Sequence, residues 1–229
     1  MKKKKYYRFD ANMWIMNILC IVLFVVPFYL LVLCGYSFNI DFSSLYFFPV
    51  VLLYFGIHEL CHGFGYSLFA KDKKNIKYGI ALEKGVFYAM CQEKLSKKAI
   101  FISILMPLFV LTVLVLPFSL IFHLDFLTML ALMNFGGAIG DILMAILIIK
   151  CPSDIEYIDY DDGIGMCLIS SHDLRKIKSL GLHVTEYGNE EDKKVNESIK
   201  KITCTKFSII FLLVILLIIF LPEILSWIF

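Results

Sequence analysis

The segment "HELCH", residues 58–62, places two histidines and a glutamate inside an otherwise apolar stretch. On an α-helix, residues four positions apart lie on one face, about one turn from each other. The imidazoles of His58 and His62 can therefore bind one tetrahedral Zn²⁺, and Glu59 can take a proton from a water that the metal activates. The spacing predicts a zinc site in which Glu59 is the general base.

The surroundings of this motif strengthen the prediction. "LYFFPVVLLYF" precedes it and "YSLFA" follows it, so the motif falls within a stretch apolar enough to lie in a membrane. Ionisable residues inside a membrane cost several kcal/mol and usually mark a functional site. We therefore expect these three side chains to serve chemistry rather than helix packing.

A third metal ligand is expected from Asp141. Besides Glu59, the predicted spans contain only two acidic residues, Asp141 and Glu223, and Glu223 lies near the outer end of the last span. A lone buried aspartate needs a partner, and a cation on the histidines would be one. Counted from the cytoplasmic ends of their spans, His62 and Asp141 both lie at a depth of roughly 10–12 Å.

Small and polar neighbours accompany Asp141. Gly136 and Gly140 form a GxxxG pair, which is expected to let another helix come close enough for a short aspartate to reach its metal. Asn134 lies two turns before Asp141 on about the same face. It can hydrogen-bond the substrate, its oxyanion or a metal ligand, and packing between helices is an equally good reason for it.

The composition indicates an all-α polytopic membrane protein. Of 229 residues, 59% are hydrophobic and only 18% are charged, more apolar than is usual for soluble proteins. A net charge of +2 without a basic, aromatic-rich patch argues against nucleic-acid binding, and the seven cysteines form no CxxC pair. Stretches of about 20 apolar residues predict five spans, at 13–34, 45–69, 99–122, 126–149 and 207–228.

The lysines and arginines orient these spans. Five precede the first span, eight lie between spans two and three, and nine lie between spans four and five. The other two loops have none, so all three basic segments are expected on the cytoplasmic face of a cell membrane, with the N-terminus inside. The excess of lysine over arginine is typical of an AT-rich bacterial genome.

Two soluble pieces are predicted. Alternating apolar residues favour a β-hairpin at 76–91, and residues 150–206 are expected to form a small cytoplasmic α+β segment. Within it we expect two strands around an Asp-Gly turn, a short helix ending at Gly181 and a solvated linker. Residues 1–149 would then be the membrane domain with the zinc site, and 207–228 a C-terminal anchor.

The hairpin follows the HELCH span directly, so it is placed to hold a substrate in extended form. An exposed strand edge can add a substrate as one more strand through main-chain hydrogen bonds. Apolar members of the hairpin are expected at the membrane interface and near the substrate, namely Ile80, Leu82, Val86 and Tyr88.

The segments "HELCHG", "CQEKLSKK" and "NFGGAIGD" resemble the membrane-bound zincin peptidases, a family long defined as a domain of unknown function. The resemblance runs from about residue 50 to 165 and implies zinc peptidase chemistry. The plan is also similar to site-two intramembrane proteases, which carry HExxH on one span and an Asp ligand on a later one. Their Asp precedes a glycine, whereas Ile142 follows Asp141 here.

The expected function is a membrane-embedded zinc metallopeptidase that cleaves membrane or membrane-proximal proteins at the cytoplasmic face. Three alternatives remain open. A protease could act at the membrane surface and take its third ligand from the cytoplasmic segment, from Glu190, Glu191 or Glu197. The metal site could also belong to a non-catalytic scaffold. A metal transporter is the third alternative, although a transport path should show several polar layers and only one is visible.

Overall fold

The computed structural model describes residues 4–40, 47–81, 86–159 and 166–188. Within these residues, three helical stretches are long and apolar enough to cross a membrane: α1 (Met13–Leu33), α2 (Phe47–Ser67) and the run Lys97–Ile121. A bent pair of helices makes a fourth if it is taken as one span. The predicted span at 207–228 lies outside the described residues.

The run Lys97–Ile121 changes its helical geometry in the middle. It consists of α3 (Lys97–Pro107), a π-helical segment (Leu108–Leu114) and α4 (Val115–Ile121). Pro107 ends α3 because proline has no N–H to donate to the carbonyl four residues earlier. Single π-helical turns inside helices occur frequently at functional sites.

The predicted span 126–149 is two helices rather than one. α5 (Asp125–Gly137) and α6 (Ile139–Lys150) meet at Ala138 with a bend of 44°. Two adjacent glycines just before the break weaken the helix there. The break places the N-terminus of α6, which is the positive end of its dipole, among the helices, and Asp141 lies in its first turn.

The GxxxG pair packs against a different helix from the one expected. A Cβ atom on Gly136 would lie 2.8 Å from the carbonyl oxygen of Cys20, and one on Gly140 would lie 3.6 Å from the side chain of Met16. Both glycines therefore face α1 and not the HELCH helix. Their small size lets α1 pack closely on α5 at Gly136 and on α6 at Gly140, while Asp141 is brought to the histidines by the bend at Ala138.

A six-stranded antiparallel sheet contains strands from all three basic segments, which are the residues before α1, between α2 and α3, and after α6. The strand order is β4-β5-β6-β1-β8-β7. The strands are β1 (Lys5–Ala11), β4 (Leu95–Ser96), β5 (Glu156–Asp159), β6 (Met166–Ser170), β7 (Lys178–Ser179) and β8 (Leu182–Gly188). Strand β1 was not predicted, yet it lies inside the sheet and pairs with both β6 and β8.

The segment after α6 is richer in strands than its sequence suggested. The two predicted strands are present as β5 and β6, and the Asp-Gly turn between them lies outside the described residues. The short helix expected to end at Gly181 is wrong. Residues 178–183 form a hairpin instead, and Gly181 takes the left-handed conformation, φ 74°, in its turn. Residues 186–188 of the expected linker belong to β8, and the rest of it lies outside the described residues.

The predicted β-hairpin is present as a separate two-stranded sheet. β2 (Ile76–Ala81) pairs antiparallel with β3 (Val86–Cys91), with Tyr78 opposite Ala89 and Gly79 opposite Tyr88. β3 packs against α2, so the hairpin lies directly beside the HELCH motif.

One apolar core joins the sheet to the helices. Large side chains from both layers are completely buried in it, among them Tyr7, Tyr157, Leu168, Ile100, Ile104 and Leu147. Because strands and helices share this core, the sheet is fixed relative to α2, α3 and α6.

Candidate metal centre

The HELCH motif is helical and brings its three polar side chains together. His58, Glu59 and His62 lie on α2 and offer ligand atoms that are all within 4.8 Å of one another. The two imidazole ring centres are 4.9 Å apart. One face of α2 thus presents both histidines to a common point, as the spacing predicts.

Asp141 reaches the same point from α6. Its Oδ2 lies 3.3 Å from Nε2 of His58, and its Oδ1 lies 3.5 Å from Nε2 of His62. Asp141 is buried, with 9% of its surface exposed. The structure therefore brings together His58, His62 and Asp141, the three residues selected by type and depth, with Glu59 beside them.

The remaining nitrogen of each imidazole has an acceptor, and this fixes the tautomers. Nδ1 of His62 lies 3.0 Å from the carbonyl oxygen of Ser103, which can only accept. Nδ1 of His58 lies 2.8 Å from Oδ1 of Asn134. Both histidines thus donate through Nδ1, and in the neutral imidazoles Nε2 is the nitrogen left to bind a metal beside Asp141, the arrangement that metal-binding histidines commonly show.

Pro107 explains why the carbonyl of Ser103 is available. In a regular helix this oxygen would accept from the N–H of residue 107, which proline lacks. The helices also approach closely here, since a Cβ on Gly65 would lie only 2.6 Å from the Cα of Ser103. A proline in α3 and a glycine in α2 therefore create the hydrogen bond that orients His62.

Asn134 is committed to orienting His58. Its Nδ2 donates to the carbonyl of Pro107 at 3.3 Å and to the hydroxyl of Thr112 at 2.9 Å, so its Oδ1 must be the atom that faces His58. Both N–H groups of the amide have acceptors. The expectation that Asn134 contacts a metal ligand agrees with this geometry, whereas a contact with the substrate oxyanion would require one of these two bonds to break.

Glu59 is held by the hairpin. The backbone N–H of Ala89 in β3 donates to Oε2 of Glu59 at 2.9 Å. The bond uses one carboxylate oxygen and orients the other, Oε1, as the atom that can take a proton. Sequence reasoning missed Ala89 and Ser103, because both contribute backbone groups that residue type does not reveal; Pro107 was the one available signal.

The donor set fits a cation. Oδ2 of Asp141 is buried and has no hydrogen-bond partner among the described residues. It faces Nε2 of His58, and Oδ1 faces Nε2 of His62, so with neutral imidazoles three groups that can bind a metal converge on one point. A buried carboxylate in this position requires a positive partner. Two imidazoles and one carboxylate form a ligand set of the kind that binds zinc in hydrolases.

The other candidate residues divide between described and undescribed positions. Tyr88 lines a cavity beside Glu59, together with Tyr78 and Leu60. Leu82 lies outside the described residues, as do the alternative ligands Glu190, Glu191 and Glu197. For Ile80 and Val86 the structure describes only the backbone, as members of β2 and β3.

Comparison with known proteins agrees with the site. Residues 50–155 match the family DUF3267, described as "Putative zincin peptidase". The chain is thus similar to that family over 106 of its 229 residues. Searches of curated proteins and of solved structures give no match. The matched residues include α2, the hairpin and α6, hence all four residues around the metal position, and together with the His-Glu-His group they support a zinc peptidase.

Proposed function

We propose that the protein is a membrane-embedded zinc metallopeptidase in which His58, His62 and Asp141 hold the metal. The observation that carries this proposal is the buried carboxylate of Asp141, which lies between two imidazoles whose other nitrogens already donate. When bound, zinc supplies a Lewis acid that lowers the pKa of water toward 7 and polarises a substrate carbonyl. The bent span thus provides the third ligand, and no residue from the cytoplasmic segment is needed.

Glu59 moves the protons. Its carboxylate lies beside the histidines without having to bind the metal, and Ala89 orients it through Oε2. Oε1 takes a proton from the attacking water and passes it to the leaving amine, the ordinary role of a general base that then acts as an acid. This role separates the peptidase from a non-catalytic scaffold, which would not need Glu59.

Two cavities of about 310 Å³ each meet at Glu59 and favour an extended, apolar substrate. Glu59 and Phe87 line both of them. The first cavity continues along Leu52, Phe55, His58, Asn134 and Gly137, and the second along Leu53, Gly56, Ile57, Leu60, Tyr78, Gly79 and Tyr88. A peptide bond at Glu59 would therefore have apolar side chains on both sides.

The edge of β3 supplies main-chain partners for such a substrate. Ala89 donates away from β2, so by antiparallel alternation the N–H and C=O of Phe87 point from the same edge. A peptide in a helix has its carbonyls hydrogen-bonded, so the substrate must unwind before it is cut. Adding it as a strand beside Phe87 would hold it unwound.

The substrate is proposed to be a membrane protein that enters from the cytoplasmic side of the cell membrane. The sheet built from the basic segments adjoins the hairpin, and the positive-inside rule assigns those segments to the cytoplasm. The exposed apolar side chains of α1 and α2 are suited to contact with lipid.

Metal analysis of the purified protein tests the proposal. The wild type is expected to bind one zinc per chain, and His58→Ala and Asp141→Ala are expected to lose it. Asp125→Ala is the matched control, because Asp125 lies at the far end of the same bent span, where it accepts hydrogen bonds from Tyr36 and Asn39. Full zinc stoichiometry and affinity in Asp141→Ala would refute the ligand assignment.

A further inference from the structure

A second buried carboxylate, outside the metal centre, lies at the end of β5. Asp159 has only 8% of its surface exposed. Its Oδ2 accepts the backbone N–H of Cys91 at 2.8 Å, and its Oδ1 accepts the hydroxyl of Tyr157 at 2.5 Å. Each oxygen thus has its own donor, so the carboxylate joins the cytoplasmic-side sheet to the last residue of β3.

The two carboxylates hold the same strand edge. Successive backbone groups of a strand point to alternate sides, so the N–H groups of Ala89 and Cys91 leave β3 in the same direction. Glu59 accepts the first and Asp159 the second. The part of this edge that remains for a substrate lies toward Phe87, and its position depends on these two anchors.

Asp159 is itself fixed relative to the metal helix. The hydroxyl of Tyr157 lies near that of Tyr66, which is on α2 one turn after His62. Both tyrosines are almost fully buried. The chain of contacts Cys91, Asp159, Tyr157 and Tyr66 therefore connects the hairpin, the six-stranded sheet and the HELCH helix.

We propose that Asp159 is a positioning residue, which holds the edge of β3 beside Glu59 so that an extended substrate meets the metal centre in register. As far as cleavage is concerned, this inference rests on the proposed peptidase function. The role requires that Oδ2 accept the N–H of Cys91, while the bond from Tyr157 to Oδ1 helps to orient the carboxylate. Asparagine offers one oxygen and one NH₂ group, so in Asp159→Asn a donor would face either Cys91 or Tyr157.

The ionised form of Asp159 suits this role, although burial disfavours the charge. Burial raises the pKa of Asp159 to about 6, and the hydrogen bonds from Tyr157 and Cys91 offset part of that effect. The titratable groups around it are the Cys91 thiol on β3, Tyr157 on its own strand, and Tyr66 and His62 on α2. At pH 7 the carboxylate is mostly ionised and can accept both bonds, whereas Asp159→Asn resembles the protonated form.

Amide hydrogen exchange of the full-length protein in detergent at pH 7 tests the inference. In Asp159→Asn, the amides of Ala89 and Cys91 should exchange about tenfold faster or more, as expected when a hydrogen bond to a charged group is lost. Tyr157→Phe removes the other donor and leaves the bond to Cys91, so it should change these rates by less than about threefold. Asp154→Asn, an exposed aspartate just before β5, should leave them unchanged.

Wild-type exchange in Asp159→Asn would overturn the proposal. Equal acceleration in Asp159→Asn and Tyr157→Phe would also overturn it, since that result indicates general loosening of β5. The exchange measurements do not depend on catalysis. They therefore decide whether Asp159 positions β3 even if the wild type proves to bind no zinc and to cleave no peptide.

A kinetic arm follows once a cleaved peptide is known. Asp159→Asn should keep its zinc and its kcat within about threefold while KM rises about tenfold, because strand placement affects binding more than chemistry. A fall in kcat with unchanged KM would contradict positioning of the substrate strand.

Discussion

At the scale of single residues, the central assignment is that Glu59 transfers protons while the three proposed ligands bind the metal. Glu59→Gln is expected to keep zinc and to lose turnover by about 10²–10⁴-fold, because the amide cannot take a proton from water. Gln can still accept the hydrogen bond from Ala89, so the fold around it should persist. Zinc content and peptide cleavage are measured side by side, with Glu156→Gln on the surface as the control. A Gln variant with near wild-type turnover would remove Glu59 from the mechanism.

Cys61 provides a second test at this scale, because it lies between Glu59 and His62 in sequence. Its side chain is buried with Tyr54, Leu111 and Leu130 and is turned around α2 by about 60° from His58 and about 100° from His62, outside the arc that the two histidines share. Cys61→Ser is therefore expected to retain zinc with wild-type affinity, at a small cost in stability. Loss of zinc in this variant would show that the thiol takes part in the site.

The sequence reveals these residues unequally. His58, Glu59, His62 and Asp141 can be found because ionisable residues are rare in the apolar stretches and their spacing and depth agree. Asp159 cannot be found in this way, since acidic residues are common in the segment that contains it. Its burial depends on strand pairing and on Tyr157, Tyr66 and Cys91 from three different elements.

At the scale of elements, the proline of α3 is predicted to act through His62. Pro107→Ala restores an N–H that competes for the carbonyl of Ser103, so the imidazole is held less firmly. Loss of such an outer hydrogen bond typically weakens metal affinity 10–100-fold. Competition with a zinc chelator measures the affinity, and Pro27→Ala in α1 is the matched control, a helix-interior proline outside the site. Unchanged affinity in Pro107→Ala would mean that the hydrogen bond to Ser103 is dispensable.

The hairpin supports a prediction that separates its two outward amides. Phe87→Pro removes an N–H proposed to bind substrate, and Ala89→Pro removes the N–H that orients Glu59. Neither amide pairs with β2, so a proline is tolerated there as on an edge strand. At least one variant is expected to lose cleavage while keeping zinc and fold, with Phe87→Ala as a control that retains the N–H. If both proline variants cleave normally, the hairpin is only a connector.

Elements were predicted well where hydrophobic periodicity dominates and poorly where tertiary contacts decide. The three long apolar helical stretches and the hairpin follow from apolar runs and alternation, whereas the bend in the span at 126–149 does not. The helix expected before Gly181 fails because a glycine with positive φ suits a helix end and a tight hairpin equally. β1 was missed because its alternation is short and follows a run of lysines, and its strand partners β6 and β8 lie more than 150 residues away.

At the scale of the whole molecule, the sheet restricts where the three basic segments can lie relative to a membrane. Strands from the N-terminal segment, from the segment after the hairpin and from the segment after α6 are hydrogen-bonded to one another. Such strands cannot pair across a hydrocarbon layer of about 30 Å. If the helices span a membrane, the described strands of the three basic segments therefore lie on the same side of it, in agreement with the distribution of lysine and arginine.

Epitope tags can test which side this is. A tag inserted after residue 41 should be accessible to antibody in intact cells, whereas a tag inserted after Asp173, in the turn between β6 and β7, should be accessible only after permeabilisation. The positive-inside rule supplies the direction, and the shared sheet requires that tags in any two basic segments respond alike. Tags that retain zinc binding report the native topology. A tag at residue 41 that proves to be cytoplasmic would show that the proposed topology is inverted. Substrate would then reach Glu59 from the outer face of the membrane.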